Sequence, residues 1–371
     1  MSTARLQEAW RDRREWLFEE ALPLWARAGA DPAGGFHDQL DDQGRPAPGP
    51  KRLRVQARQV FVYAEAGRIG WTGPWREAVQ HGLKFLTDHA PLDGGPLASL
   101  YEDGQARGLA LYDQAFVLLA LAHARRALDD PRLEIRALAF LEMLGHRLGR
   151  PGGGFDEPGA GAVPLQANPH MHLFEAMIAW GEISAAPAWA ATADMIRGLA
   201  LNTFIDPPTG RLREFFDDQG RPNADQASDI EPGHQFEWGT LLLLDGRGGE
   251  AAAERMIRDT TAIGVDRARE AAINAQKLDG TPIDATARLW VQTERMRAAL
   301  LLARRAPDAG YWLEEALHSE ATLRRYLDDP GGGLWRDLML EDGSLRPDPA
   351  KASSLYHIMG AYLALRDAAE G

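Results

Sequence analysis

Gly152-Gly153-Gly154-Phe155 is a Gly-rich turn closed by an aromatic residue, and the chain repeats it. Gly34-Gly35-Phe36 and Gly94-Gly95-Pro96-Leu97 come before it. Gly210-Arg211-Leu212, Gly280-Thr281-Pro282-Ile283 and Gly331-Gly332-Gly333-Leu334-Trp335 come after. Successive turns lie roughly 53 to 70 residues apart, an internal repeat with a period near 60. Each turn leads through an acidic stretch into a helix whose first turns carry a polar group: Arg58, Asp113, His172, His234, the Trp290/Glu294 pair and His357. Six like units, each aiming one functional group at a shared centre, account for both regularities.

Helical periodicity fills the space between the turns. Leu109–Leu128, Pro131–Leu148, Met171–Ile183, Pro187–Phe204, Ala251–Ile263, Ala287–Arg305, Tyr311–Leu327 and Ser354–Ala368 carry apolar residues at i, i+3, i+4 and i+7. Within a unit the first helix is apolar all round (Gln114–Leu121, Met171–Trp180) and the second amphipathic (Arg132–Leu148, Trp189–Leu201). A helix apolar on every side is buried; an amphipathic one faces water. The pattern predicts an all-α fold, an (α/α)6 barrel with an inner and an outer ring of six helices. No linker divides residues 1–371, so one barrel domain is expected. Short strand-like pieces, Arg211–Phe216 and Leu334–Leu340, run into the turns Asp218-Gln219-Gly220 and Glu341-Asp342-Gly343. They predict small β-hairpins in the loops at one end. An open α-solenoid shares the helix pairing, but it has no need of Gly turns and polar helix starts in every unit.

Bulk composition narrows the chemistry. The net charge of −13 argues against a nucleic-acid partner, because phosphate binding is driven by Lys and Arg. There is no Cys, which removes disulfides, thiolate metal sites and Cys nucleophiles. The segment Arg5–Trp25 is charged and amphipathic, without the apolar core of a signal peptide. No apolar run approaches the ~18 residues of a membrane span. A soluble cytoplasmic protein, monomer or homodimer, is the expectation.

Three segments concentrate chemistry. In Asn168-Pro169-His170-Met171-His172-Leu173-Phe174-Glu175, Asn168 reads as an N-cap and Pro169 as the first helical residue. The two histidines, two apart, point to opposite sides of a helix, so one metal cannot take both. His172 is expected on the barrel axis with Glu175 on the adjacent face. The structural alternative is a pair of histidines hydrogen-bonding a loop. In Glu231-Pro232-Gly233-His234-Gln235-Phe236-Glu237-Trp238, Pro232 marks a helix start and Glu237 is expected beside His234. A carboxylate raises the basicity of an imidazole and a helix N-terminus lowers it, so His234 is tunable near neutral pH. Lys351-Ala352-Ser353-Ser354-Leu355-Tyr356-His357 repeats the layout, with a Ser as cap and His357 one turn in.

Arg58 stands early in the first inner helix, where a buried charge must be paired or must hold a ligand. Asp113 is a possible partner, Trp290 an aromatic face, Glu294 a second acid and Trp335 a candidate lid or wall. Aromatic faces with Arg, His and carboxylates in one cleft suit a sugar. The barrel also hosts glycoside hydrolases, which need two carboxylates about a glycosidic bond; Asp229, Glu231, Glu237 and Asp113 are available for that. The prevalence of His at the inner positions argues against it.

Taken together, Gln56-x-Arg58, Asn168-x-His170-Met171-His172-Leu173-x-Glu175-Ala176, Glu231-Pro232-Gly233-His234-x-x-Glu237-Trp238 and Ser354-x-Tyr356-His357 resemble the N-acylglucosamine 2-epimerase superfamily of sugar epimerases and isomerases. The resemblance runs from about residue 30 to the C-terminus, with every motif in order. It implies the (α/α)6 barrel, no metal and no redox cofactor. By motif it makes His234 and His357 the acid/base pair, with Arg58, His172, Glu237 and Trp290 shaping the sugar site. The expected activity is aldose–ketose isomerisation of the mannose-to-fructose type through an enediolate. Sugar 2-epimerisation is the first alternative and an (α/α)6 glycoside hydrolase the second. The partner is a small-molecule sugar.

Overall fold

The structure, a computed structural model, describes residues 2–89, 95–158 and 164–371. Gly94, of the second Gly turn, lies outside them. The helices are α1 (Ser2–Glu15), α2 (Leu22–Ala28), α3 (Leu53–Arg68), α4 (Trp75–Asp88), α5 (Leu111–Leu128), α6 (Arg132–Leu148), α7 (Ala167–Gly181), α8 (Pro187–Leu199), α9 (Pro232–Asp245), α10 (Glu250–Ile263), α11 (Leu289–Ala303), α12 (Ala309–Asp328) and α13 (Ala352–Glu370).

Two concentric rings result. α3, α5, α7, α9, α11 and α13 each pack on the next, and α13 returns to α3, so the inner ring closes. α4, α6, α8, α10 and α12 each back onto the inner helix that precedes them, and α1 backs onto α13. The N-terminal helix thus supplies the outer partner that the last unit lacks. Burial follows the two composition types. In α9 every residue from Pro232 to Leu243 is buried. In α10 only Ala253, Met256, Ile257, Thr260 and Thr261 are, one face at helical spacing. The rings lock through aromatic pairs, such as Trp180 of α7 stacked on Trp189 of α8 at 4.7 Å.

Short hairpins occur in the loops, such as Leu100–Glu102 with Gln105–Arg107, and the strands do more than that. Several pair across unit boundaries, immediately before an inner helix: Lys51–Arg52 with Leu100–Glu102, Leu165–Gln166 with Phe215–Phe216, and Ala287–Arg288 with Leu338–Met339. Ala350–Lys351 pairs with Gln39–Leu40 and joins the last unit to the first. The ring is therefore closed at its loop end by backbone hydrogen bonds as well as by helix packing.

What marks four of the repeats is a side chain to which the motifs gave no role. Gln56, Gln114, Gln235 and Gln292, one on each of four inner helices, accept from the N–H and donate to the C=O of Phe36, Leu97, Leu212 and Ala272. Each glutamine pins the residue that closes its own turn. His170 does half of this, taking the Phe155 N–H at 3.0 Å through Nε2 while Nδ1 bonds Gln166 O. Hydrogen-bonding a loop, the structural alternative for a histidine in this motif, is what His170 does. Gly153 and Gly154 in its turn take φ of 91° and 83°, which side-chain-bearing residues rarely adopt. The Gly280 turn proves not to be equivalent. It tips an extra hairpin, Ala275–Lys277 with Pro282–Asp284. The equivalent turn is Glu270-Ala271-Ala272, where Glu270 has φ of 55°.

Candidate active site

A cavity of 210 Å³ opens at the N-terminal ends of the inner helices. Arg58, His172, His234, Glu237, Trp290 and His357 line it, joined by Tyr112, Asn168, Glu231, Arg288, Ser353 and Ser354. Four inner helices place their polar residue relative to the glutamine or histidine that grips the loop. Arg58, His172, Glu237 and Glu294 stand two positions after Gln56, His170, Gln235 and Gln292. A loop-anchoring residue and an axial residue two apart point to opposite sides of the helix, so one faces the outer wall and the other the axis.

Trp290 touches both principal histidines. Its ring centre lies 5.3 Å from that of His234 and 5.5 Å from that of His357. Behind each histidine sits a carboxylate on Nδ1. Glu214 Oε1 meets His234 at 3.0 Å, with Glu231 at 3.8 Å. Glu294 Oε1 meets His357 at 2.8 Å, and its other oxygen accepts from Arg297 at 2.8 Å. A carboxylate held from both sides accepts from both, so the His357 Nδ1–H donates to it and Nε2 keeps its lone pair.

The two histidines hold opposite charge states. Burial favours neutral His234, but the negative charges of Glu214 and Glu231 outweigh it and push the ring up to about 10. Burial also dominates at His357, and the positive charges of Arg58 and Arg297 and the neighbouring His172 ring add to it, holding the ring well below its usual range. His172 is pulled down to about 4 by burial, against the hydrogen bond from its Nδ1 to Glu175. Glu237 is raised well above a normal carboxyl, by burial first and then by Glu294 and Glu175. It faces the cavity as a neutral acid, and its Oε1 has no hydrogen-bond partner.

Several expectations need correcting. Trp335 forms no lid or wall: it is fully buried, stacked on Trp25 at 4.9 Å, because the N-terminal helices cover it. Asp113 points away from the cavity into an ion pair with Arg54 at 3.0 Å. Glu175 and Glu294 stand behind His172 and His357 rather than on the cavity wall. Glu237 is not the partner of His234; its nearer histidine is His172, at 3.8 Å. Asn168 is no N-cap, since α7 begins at Ala167, and it lines the cavity instead. Ser353 and Ser354 likewise lie within α13, where Ser354 bonds Asp337 at 2.9 Å. Sequence reading missed Glu214. Its signal was alternation: Leu212, Glu214 and Phe216 are buried in turn, one inward face with a carboxylate in its middle.

Two groups bring metal-type donor atoms within 4.8 Å of one another: His172, Glu175 and Glu237, and Glu237, Glu294 and His357. Several of their atoms are already committed, though Glu237 Oε1 is not. His172 Nδ1 bonds Glu175, Glu294 is shared by His357 and Arg297, and the adjacent Arg297 charge repels a cation.

Comparison with known proteins gives this cavity a family. The pattern of the N-acylglucosamine 2-epimerase family matches residues 34–361. The chain belongs to this family. It is an enzyme of the sugar isomerase and epimerase class. A mannose-6-phosphate isomerase of Rhizobium meliloti is 40% identical, with 95% of each chain covered. A D-mannose isomerase of Thermobifida fusca is 30% identical over 95% of this chain and 93% of its own. The solved cellobiose 2-epimerase of Spirochaeta thermophila superposes with a TM-score of 0.87 at 22% identity, over 99% of this chain and 98% of its own. That likeness shows the fold alone. Among the described residues no helix is long and apolar enough to cross a membrane.

Proposed function

We propose that the cavity interconverts a mannose-type aldose and its ketose by moving a proton between C2 and C1. The observation that carries this reading is the pair His234 and His357, each against the Trp290 ring and shifted in opposite directions, the first towards the protonated form and the second towards the neutral one. Neutral His357 takes the C2 proton on Nε2. The C2–H electron pair forms the C1–C2 double bond, and the carbonyl π pair moves to O1, which His234 protonates. The product is an enediol. Glu237, as a neutral acid, and Arg58 steady the oxygens while charge is on them, in a site where helix N-termini already favour negative charge. Moving the O2 proton to His234 and delivering a proton to C1 gives the ketose. Return of a proton to the opposite face of C2 gives the epimer.

Size supports a monosaccharide. The cavity of 210 Å³ falls below the ~300–1,000 Å³ of common ligand pockets. That is room for one sugar ring, not two. Arg288, half exposed at the mouth, is placed to meet an anionic group on the sugar. The test is incubation with mannose, mannose 6-phosphate, fructose, cellobiose and N-acetylmannosamine, followed by separation of products. Conversion between mannose or its 6-phosphate and the corresponding ketose is expected. Turnover of cellobiose or N-acetylmannosamine alone would overturn the reading.

A further inference from the structure

A second cavity lies at the other end of the barrel, among the C-terminal halves of the inner helices. It measures 390 Å³, against 210 Å³ for the front cavity. Leu119, Ile178, Leu241 and Leu300 give it apolar walls, and Glu175, Arg297, Tyr356 and Thr240 a polar floor. Thr240 is 1% exposed, and its Oγ1 has no hydrogen-bond partner. Gly360 of α13 lines the floor: a Cβ there would touch the Arg297 guanidinium at 3.7 Å, so a larger side chain would reach into the space.

Charge decides the class of ligand. Every acid lining the cavity already has a partner. Glu65 bonds His123 and Arg68 at 2.7 Å and Arg126 at 3.1 Å; Arg126 also bonds Glu182 at 3.1 Å. Glu175 takes His172 and the Tyr356 hydroxyl, and Asp367 is held by Arg366. The bases are in excess. Arg297 gives one N–H, from Nη1, to Glu294. Arg304, exposed at the C-terminal cap of α11, has no acidic partner among the described residues. The carbonyl end of α11 answers about half an elementary charge of it. The spare charge is positive. The mixed lining also disfavours a bare hydrocarbon chain, which would leave Thr240 and the Arg297 N–H groups dry and unpaired.

We propose that this rear cavity is a second ligand site, for a small anionic polyol such as a sugar phosphate or sugar acid. The anionic group meets Arg304 at the mouth. The hydroxyls reach Thr240 and Arg297, and the C–H faces lie on the leucines. Arg297 connects the site to the reaction, since it bonds Glu294, which orients His357. A ligand hydroxyl that draws Arg297 off Glu294 loosens His357, and turnover falls without competition for the front cavity.

The test is calorimetric titration of the whole protein with glucitol 6-phosphate, which has no carbonyl to turn over. Gluconate, inorganic phosphate and neutral glucitol serve as the other arms. Glucitol 6-phosphate or gluconate should bind, and which of them does so identifies the anionic group. Arg304→Gln, at an exposed position, should weaken binding at least ~10-fold, and Gly360→Leu should abolish it. Saturating mannose should not displace the ligand, and kcat should fall at unchanged KM. No binding at millimolar concentration, equally tight binding of inorganic phosphate, or binding that neither substitution alters would overturn the site. Because binding is read directly, this result is independent of whether mannose is the substrate. An unchanged kcat at saturating ligand would overturn the connection to His357.

Discussion

Gly233 presents a bare Cα to the indole of Trp290: a Cβ at that position would overlap the ring. The contact sets the place of the Trp290 plane, and with it the separation of the two histidines that touch the ring. Gly233 sits in the first turn of α9, immediately before His234, so only the missing side chain lets α9 and α11 approach this closely. Gly233→Ala should displace Trp290. Such overpacking costs about 1–3 kcal/mol of stability. We expect kcat/KM to fall at least ~10-fold, beyond what the loss of stability explains, because a small misplacement of acid and base is felt strongly. Steady-state kinetics beside urea unfolding separates the two.

His234→Ala and His357→Ala should each lower kcat by at least ~10²-fold, within the range for general acid–base groups. Deuterium exchange at C2 in heavy water divides their roles. His357→Ala should lose exchange along with turnover, whereas His234→Ala should keep more exchange than turnover. The reverse division would exchange the two assignments.

The proposed proton transfer requires neutral His357 and protonated His234. It should fall in acid as the axial histidines His172 and His357 take protons, and in alkali as His234 loses its proton near about 10. Glu214→Gln removes the largest charge that favours the His234 imidazolium, so that group titrates lower. The alkaline limb of the pH–rate profile should move to lower pH and the acid limb should stay. An unmoved alkaline limb would assign it to another group.

His170 gives a prediction about stability. It is held down to about 4 in the fold, by burial first, against an unfolded value of about 6.5. The unfolded chain therefore binds the extra proton at higher pH. Stability is unaffected above ~6.5, declines as pH falls from there to about 4, and levels below, a loss of up to about 3 kcal/mol. His170→Gln restores the residue used by α3, α5, α9 and α11 and removes that titration. Urea melts should show the variant gaining on the native protein as pH falls through this window, with little difference at pH 7.

Exhaustive chelation should leave turnover unchanged, since the reading moves protons through side chains alone. Loss with EDTA and recovery with one divalent ion would transfer the chemistry to a metal held by His172, Glu175 and Glu237 or by Glu237, Glu294 and His357.

The double ring was legible in the sequence because its signals are local. A Gly turn, a buried helix and an amphipathic helix each show within some twenty residues, and their recurrence needs no knowledge of contacts. Arg58, His172, His234 and His357 followed from their places at the starts of inner helices. Trp335 misled because adjacency to a Gly turn does not say which layer covers it. The cover is Trp25, from the far end of the chain.

What only the tertiary structure decided is which charge faces which ring. His234 and His357 both stand near the start of an inner helix, third in α9 and sixth in α13. Yet Glu214 and Glu231 surround the first, while Arg58, His172 and Arg297 surround the second. Most of those neighbours come from other helices and loops, and their effect depends on separations of a few ångströms among buried groups. Proton affinity is a through-space property of that kind. The chain order determined that two histidines would meet, and the closure of the ring decided which of them carries the proton.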